Sequence, residues 1–172
     1  MNELSITAFK QEDIPIITKA FFELGWHKPK EQYEQYFLEQ KKGRRDVFVA
    51  WIDQFFCGYV TINWESHYPY FSANGIPEIC DLNVLPKFRR LGIGSQLMER
   101  AEVMISERKP GIPIGIGVGL TADYGSAQRL YVKRGYIPDG RGIMSKGEPV
   151  SFRQQVIVDD DLCIYLTKRR SQ

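Results

Sequence analysis

The spacing of apolar residues along the chain predicts a fold that mixes strands and helices. Residues 4–9 alternate between apolar and polar side chains, as expected of a strand with one buried face. Apolar residues then recur every three or four positions, which predicts one helix from residue 11 to Gly25 and a second from Pro29 to Lys42. Apolar and β-branched runs at 47–52 and 55–64 predict the two strands of a hairpin.

The later part of the chain alternates strands with helices. Its segments predict, in order, a long loop over 65–77, a strand over 79–85, a helix from 93 to about 108, a strand over 114–120, a helix from about 124 to 134, an irregular glycine-rich stretch over 138–149 and a last strand over 162–166. Strand–helix–strand units imply parallel pairing, whereas the hairpin implies antiparallel pairing. The sequence therefore predicts an α/β fold in which helices cover a mixed sheet.

Glycines stand at every second position of the predicted strand over 114–120, at Gly115, Gly117 and Gly119. Successive residues of a strand point to opposite faces, so these three positions leave one face without side chains. Another group can therefore pack closely against the backbone of this strand.

The composition is that of one globular domain spanning residues 1–172. Apolar residues make up 43% of the 172 positions and charged residues 26%, which excludes a disordered chain. The net charge of +2 disfavours nucleic acid as the main partner. The sequence contains no apolar run typical of a membrane helix or a signal peptide, so we expect a cytoplasmic protein without a membrane partner.

The residue types that commonly bind metals are scattered along the chain. Cys57, Cys80 and Cys163 lie far apart and indicate neither a zinc site nor a disulfide framework. His27 and His67 fall in no metal-ligand pattern. No metal cofactor is therefore expected.

The run from Arg89 to Ser95 joins a predicted strand to a predicted helix and contains the pattern RRLGIGS. Gly92 and Gly94 allow a tight turn that brings the backbone close to a ligand. The first N–H groups of a helix have no acceptor within the helix, and the helix dipole favours an anion there. This turn therefore suits a pyrophosphate, although it is neither a P-loop nor the GxGxxG pattern of a dinucleotide-binding fold.

Three linked motifs resemble those of the GCN5-related N-acetyltransferase (GNAT) superfamily. Residues 89–94 match its R/Q-x-x-G-x-G/A motif, and the preceding strand ends in the frequent Val-x-Pro at Val84. Residues 127–136 match the pattern A-x-x-L-Y-x-x-x-G-F/Y. The resemblance, with core motifs over 78–136, implies one acetyltransferase domain. Its fold would be a mixed, mostly antiparallel sheet of about seven strands and about four helices, with a splayed parallel strand pair at the cofactor site.

The resemblance also implies acetyl-CoA as cofactor and a set of residues that bind it. The pantetheine arm would contact the strand at Leu82, Asn83 and Val84, and the pyrophosphate would contact Arg89, Arg90, Leu91, Gly92, Ile93, Gly94 and Ser95. Many members carry an asparagine where this chain has Tyr124, so Ser126 or the backbone beside it would have to replace that contact.

Two proton transfers are implied by amide formation from an amine and a thioester. Tyr131 occupies the family's tyrosine position, and a phenol with a pKa of about 10 can donate a proton to the leaving thiolate. Glu78 matches the spacing of the catalytic glutamate in one branch of the family, with Asp81 as the alternative base and bulk water as a third possibility. Strand alternation places Glu78 and Asp81 on opposite faces unless a bulge intervenes.

The expected reaction is acetyl transfer to a primary amine by direct attack in a ternary complex. A small-molecule amine is the first choice of acceptor, and a protein or peptide amine is the alternative. The segments 25–36 and 64–76 lie outside the cofactor motifs and contain aromatic residues that could hold a cationic amine. The candidates are Trp26, Tyr33, Trp64 and Tyr68. A non-catalytic acyl-CoA-binding module is an alternative of another class. Family members are often dimers, so a homodimer is compatible with the resemblance.

Overall fold

A computed structural model describes residues 3–169, and this part of the chain contains eight strands and five α-helices. The strands are β1 (Leu4–Ala8), β2 (Arg45–Ile52), β3 (Phe55–Asn63), β4 (Glu78–Val84), β5 (Ile114–Gly119), β6 (Ile137–Ser145), β7 (Glu148–Pro149) and β8 (Leu162–Lys168). The helices are α1 (Ile14–Glu23), α2 (Lys30–Lys41), α3 (Pro69–Ala73), α4 (Ile93–Arg108) and α5 (Gly125–Lys133).

The strands form one mixed sheet in the order β1-β2-β3-β4-β5-β8-β6-β7. Strands β1, β2 and β3 pair antiparallel, as do β5 with β8, β8 with β6, and β6 with β7. β4 and β5 are parallel, with Glu78 opposite Gly115 and Ile79 opposite Ile116. The predicted α/β class, with a mostly antiparallel sheet and one parallel pair, is confirmed.

The chain divides into two compact units. The first comprises the described residues up to Trp64 together with Cys80–Met104. In this unit α1 and α2 lie against β2 and β3 and bury Ile17, Phe21 and Tyr33 completely. The second unit comprises Glu65–Ile79 and the described residues from Ile105 onwards, and a smaller cluster around Phe71 forms part of its core. A single domain over the whole chain stays a prediction.

Two segments differ from the sequence-based expectation. The predicted loop over 65–77 contains the short helix α3, which begins at Pro69. The stretch over 138–149, predicted to be irregular, forms β6 and β7. Its glycines Gly140 and Gly142 have φ angles of +82° and +76° and lie where the β6–β8 register shifts. The glycines therefore bend a strand at an irregularity instead of interrupting it.

Aromatic rings fill the bare face of β5. A Cβ atom built on Gly115 would lie 2.3 Å from the Phe71 ring, and one on Gly119 would lie 2.4 Å from the Tyr124 ring. A Cβ on Gly117 would lie 3.0 Å from the ring of Tyr165 on β8. The alternating glycines thus allow side chains of the protein itself to rest on the strand backbone.

Candidate active site

Strand β4 follows an irregular path at Asp81, the alternative candidate for the base. Asp81 has a φ of +51°, in the left-handed region, so the simple alternation of side chains along the strand is broken there. The neighbouring strand β3 approaches closely at Gly58, where a Cβ would lie 2.3 Å from the Asn83 carbonyl oxygen. Asp81 is thereby held against the side chains of the first unit.

The Asp81 carboxylate is the centre of a hydrogen-bond cluster in the first unit. Five side chains donate to it. Oδ1 accepts from Lys28 Nζ and Asn83 Nδ2 at 2.7 Å each. Oδ2 accepts from Gln32 Nε2 at 3.0 Å, from Tyr36 Oη at 3.1 Å and from Tyr59 Oη. A carboxylate offers about four lone-pair directions. The acceptor capacity of Asp81 is therefore filled.

Electrostatics keep the Asp81 carboxylate charged. Burial alone would raise its pKa, but the Lys28 ammonium and the tyrosine hydroxyls hold that pKa below the ordinary aspartate value. Burial raises the pKa of the Tyr36 and Tyr59 phenols, so both stay protonated and act as donors. A carboxylate with a low pKa and filled lone pairs is a poor proton acceptor.

A second layer of contacts fixes the tyrosines of this cluster. The guanidinium of buried Arg45 lies 4.3 Å from the centroid of the Tyr36 ring. Arg45 is held in turn by Glu39, whose Oε2 accepts from Nε at 2.6 Å. The hydroxyl of fully buried Tyr33 donates to Tyr59 Oη at 3.4 Å. The hydroxyl groups that face Asp81 are therefore preorganised.

The four aromatic residues predicted to bind the acceptor are packed inside the protein. Tyr33 and Trp64 are buried in the first unit, and half-buried Trp26 stacks on Phe21 with 5.6 Å between ring centroids. Tyr68 is buried in the second unit, where it stacks on Tyr165 and donates to Asp139. Their assignment to the acceptor stays a prediction.

Sequence reasoning did not assign Lys28, Gln32, Tyr36 and Tyr59 to the site. The contacts of these residues with Asp81 span 22 to 53 positions of the chain. A local pattern carries no signal for pairs so far apart.

The glycine turn before α4 has the properties needed to bind a pyrophosphate. Arg90 and Gly92 have φ angles of +64° and +78°, and both are exposed. The N–H of Gln96 donates to the Gly92 carbonyl at 3.1 Å, which begins the helical bonding of α4. The first-turn N–H groups of a 16-residue helix therefore face the turn. No other heavy atom lies within 4 Å of the position that a Cβ on Gly92 would take. Such a backbone suits an anion, and its contact with the diphosphate of acetyl-CoA stays a prediction.

Arg89 has protein partners of its own beside this turn. Its Nε donates to the Val84 carbonyl at 3.2 Å, and its guanidinium lies 5.7 Å from the centroid of the Trp26 ring. Arg89 thus ties the end of β4 to the segment after α1. The predicted contact strand, Leu82–Val84, is half-buried.

The second unit contains the predicted proton donor and the predicted glutamate base. Tyr131 lies on α5, is 6% exposed and has its ring 6.1 Å from that of Tyr136. Half-buried Glu78 begins β4 and accepts a hydrogen bond at 2.5 Å from the hydroxyl of buried Ser66. The backbone N–H of Tyr68 donates to the same hydroxyl, which fixes its orientation toward Glu78.

Tyr124 and Ser126 occupy the start of α5. Tyr124 is held by its ring on Gly119 and by a 2.9 Å hydrogen bond from its hydroxyl to Asp160. Ser126 is exposed. Their roles in cofactor binding stay predictions.

Residues 3–169 contain neither a metal-binding cluster nor a membrane-spanning helix. Between residues 3 and 169, no three His, Cys, Asp or Glu side chains are grouped so that they could hold a metal ion. No helix in this part of the chain has the length and apolar character to cross a membrane. A cleft of about 510 Å³ lies in the first unit and is lined by Pro15, Thr18, Lys19, Phe22, Trp26, His27, Lys28, Pro29 and Lys30.

Solved structures of low sequence identity share this fold. An N-acetyltransferase from Staphylococcus aureus Mu50 matches with a TM-score of 0.71 and 16% identity, over 97% of this chain and 98% of that one. The Salmonella typhimurium acetyltransferase that modifies the N-terminal serine of ribosomal protein L7/L12 gives 0.69 and 13%, over 98% and 95%. A spermidine N-acetyltransferase chimera from Vibrio cholerae and hSSAT gives 0.67 and 16%, over 96% and 95%.

Sequence comparison identifies the family directly. The search of curated proteins returned no match. The sequence profile of the acetyltransferase (GNAT) family matches residues 12–136, which include β4, the glycine turn and α5. Because that match covers most of the chain and the fold agrees with it, the chain belongs to the GNAT acetyltransferase family.

Proposed function

We propose that this protein transfers the acetyl group of acetyl-CoA to a primary amine of a small molecule. The observation that carries the proposal is the open glycine turn at the start of α4, where backbone donors suit a diphosphate. The buried Asp81 cluster in the same unit supports an amine acceptor, because it already holds an ammonium group. Asp81 is only 18% exposed, which favours a slender acceptor.

The residues of this chain would bind the reactants and move two protons. When bound, acetyl-CoA supplies an activated thioester and a thiolate leaving group. Glu78 would take the proton that the attacking amine loses, directly or through water, and the Ser66 hydroxyl orients its carboxylate. Tyr131 would hold a proton at Oη for the departing sulfur. A C–N bond forms, a C–S bond breaks, and one proton goes to each of the carboxylate and the sulfur.

Asp81 is assigned a positioning role in this scheme. Its filled acceptor capacity and lowered pKa make it unsuited to remove a proton. It can instead bind a positive charge and hold the acceptor in place. This divides the two candidate carboxylates between proton transfer and binding.

A protein or peptide amine is the second acceptor class. The Salmonella neighbour acts on a ribosomal-protein terminus and the Vibrio chimera is a spermidine acetyltransferase, so the shared fold serves both classes. A module that binds acyl-CoA without turnover is the alternative of another class. Tyr131 and the open glycine turn support an enzyme over such a module.

The release of free thiol from acetyl-CoA tests the proposal. The purified protein is incubated with acetyl-CoA and, separately, with small mono- and diamines and with peptides that carry a free N-terminus. Amine-dependent thiol release with the small amines is expected. Release with peptides alone would assign the second class, and CoA binding without release for any amine would contradict an enzymatic role.

A further inference from the structure

Lys28 reaches the Asp81 cluster from the irregular segment between α1 and α2. Its ammonium lies 2.7 Å from Asp81 Oδ1, 3.5 Å from Tyr59 Oη and 6.0 Å from the centroid of the Phe21 ring. Lys28 also lines the 510 Å³ cleft. A carboxylate, a hydroxyl and an aromatic face are together the partners that an alkylammonium group binds well.

The other donors of the cluster all stand on regular elements. Gln32 and Tyr36 belong to α2, Tyr59 to β3 and Asn83 to β4, whereas Lys28 lies in the segment before α2. A movement of this segment would therefore remove the ammonium and leave the carboxylate with its neutral donors in place. What remains is a preformed site for one cation.

The charge balance of the site allows one cation at a time. Asp81 is the partner that carries negative charge, its four other donors are neutral, and Lys28 supplies one positive charge. A second cation beside Lys28 would meet a neutralised pair. An incoming ammonium group must therefore displace Lys28 to gain the carboxylate.

The left-handed backbone of Asp81 is a second, independent sign of a functional site. Non-glycine residues rarely adopt this conformation within a strand, and such strain concentrates at binding sites. Here it accompanies the carboxylate on which all five donors converge. A carboxylate so placed serves to bind charge.

We propose that Lys28 occupies the site of a non-reacting ammonium group of the acceptor, so that the acceptor is an amine with a second cationic group, such as an aliphatic diamine. The proposal rests on the proposed acetyltransferase function. Asp81, with its lone pairs filled, holds the ammonium that stays charged, while another amine of the same molecule reacts. Lys28 is in this sense a tethered competitor of the substrate.

A binding experiment tests the site without any catalysis. In Lys28→Ala the carboxylate loses its cation, and n-propylammonium chloride should raise the melting temperature of this variant by several degrees over an equal concentration of NaCl. The wild type and Lys30→Ala should show little such difference, because exposed Lys30 pairs with Glu34. The double variant Lys28→Ala/Asp81→Asn should lose the response. A Lys28→Ala protein that does not respond overturns the proposal.

A labelling experiment on the wild-type protein covers the case in which Lys28→Ala does not fold. A brief pulse of an amine-acetylating reagent is followed by mass spectrometry of the peptides that contain Lys28 and Lys30. Addition of 1,3-diaminopropane should raise the modification of Lys28 relative to Lys30 severalfold, because the displaced side chain becomes accessible. An unchanged ratio overturns the proposal.

Kinetics then connect the site to the acceptor. The KM for 1,3-diaminopropane should be at least about tenfold lower than that for n-propylamine, and Asp81→Asn should abolish this preference. Equal KM values in the wild type overturn the proposal. If no amine is acetylated, the proposed function fails, while the melting experiment still decides whether the ammonium site exists.

Discussion

At the scale of single residues, Asp81 combines a strained backbone with a saturated carboxylate. A left-handed conformation of a non-glycine residue costs about 1–3 kcal/mol, although aspartate tolerates it better than most residues. The five hydrogen bonds that converge on the side chain offset this cost. The local conformation therefore depends on partners contributed by other elements.

Acid is expected to weaken the fold through Asp81. Its pKa is lowered in the folded state, so the folded protein binds fewer protons at this group than the unfolded chain does. The stabilisation is complete above the ordinary pKa of about 3.9 and is lost as the pH falls from there through the lower folded value. Urea unfolding at a series of pH values should show this loss in the wild type. Asp81→Asn should be less stable by roughly 1–3 kcal/mol at neutral pH and less sensitive to acid. Equal acid sensitivity of the two proteins would contradict the assignment.

The role of Tyr131 is tested by removing its hydroxyl. Tyr131→Phe keeps the ring and its packing, so the protein should fold and bind acetyl-CoA as before. The loss of a general acid should lower kcat about 100-fold or more. Tyr136→Phe is the matched control, because Tyr136 is also buried and its ring lies beside that of Tyr131. An unchanged kcat in Tyr131→Phe would make this residue part of the core only.

At the scale of elements, the proposed diphosphate contacts are made by the backbone of the turn before α4, so the prediction concerns Gly92. Gly92→Asp places a negative charge in the open space beside the turn and should weaken CoA binding at least about 100-fold in calorimetric titration. Gly92→Ala separates strain from charge. It adds a Cβ at a φ of +78°, which lowers the stability of the fold by about 1 kcal/mol, and it adds no charge. A folded Gly92→Asp protein with wild-type affinity would show that the diphosphate lies elsewhere.

The face of β5 gives a prediction about stability. Gly115→Ala would place a Cβ 2.3 Å from the Phe71 ring, so the ring or the strand must shift, at a cost of about 1–3 kcal/mol. Gly125→Ala at the start of α5 meets nothing within 4 Å and should be neutral or stabilising by up to about 1 kcal/mol. Denaturant unfolding of both variants measures the difference. A Gly115→Ala protein as stable as the wild type would show that the ring yields freely.

Elements with a clear apolar period could be predicted from the sequence, whereas features that depend on contacts between distant parts of the chain could not. The periods of α1 and α4 and the alternation in β5 are local, so their bounds are predicted to within a few residues. β6 was missed because its glycines resemble a loop until β8 pairs with it. The motif residues at 89–95 could be found from local spacing alone. The Asp81 cluster could not, because its donors come from distant parts of the chain.

At the scale of the whole molecule, the residues that we propose for charge binding and those that we propose for proton transfer belong to different units. Asp81 and its donors lie in the first unit, while Glu78, Ser66 and Tyr131 lie in the second. The kinetic effects of variants should divide in the same way. Glu78→Gln should lower kcat and remove the acidic limb of the pH profile, whereas Asp81→Asn should mainly raise KM for a diamine. One amine must be used throughout, since the acceptor also titrates. The reverse division would make Asp81 the base.

If Lys28 competes with the acceptor as proposed, its attachment to the chain also sets the range of amine concentrations to which the protein responds. A group attached through a short linker competes as though it were present at a concentration on the order of millimolar. The concentration of an acceptor of similar affinity must exceed this effective concentration of the Lys28 ammonium before the acceptor occupies the Asp81 carboxylate. The protein would then leave scarce amines untouched and acetylate them only in surplus. Replacing Lys28 would then allow the protein to acetylate amines at low concentrations as well.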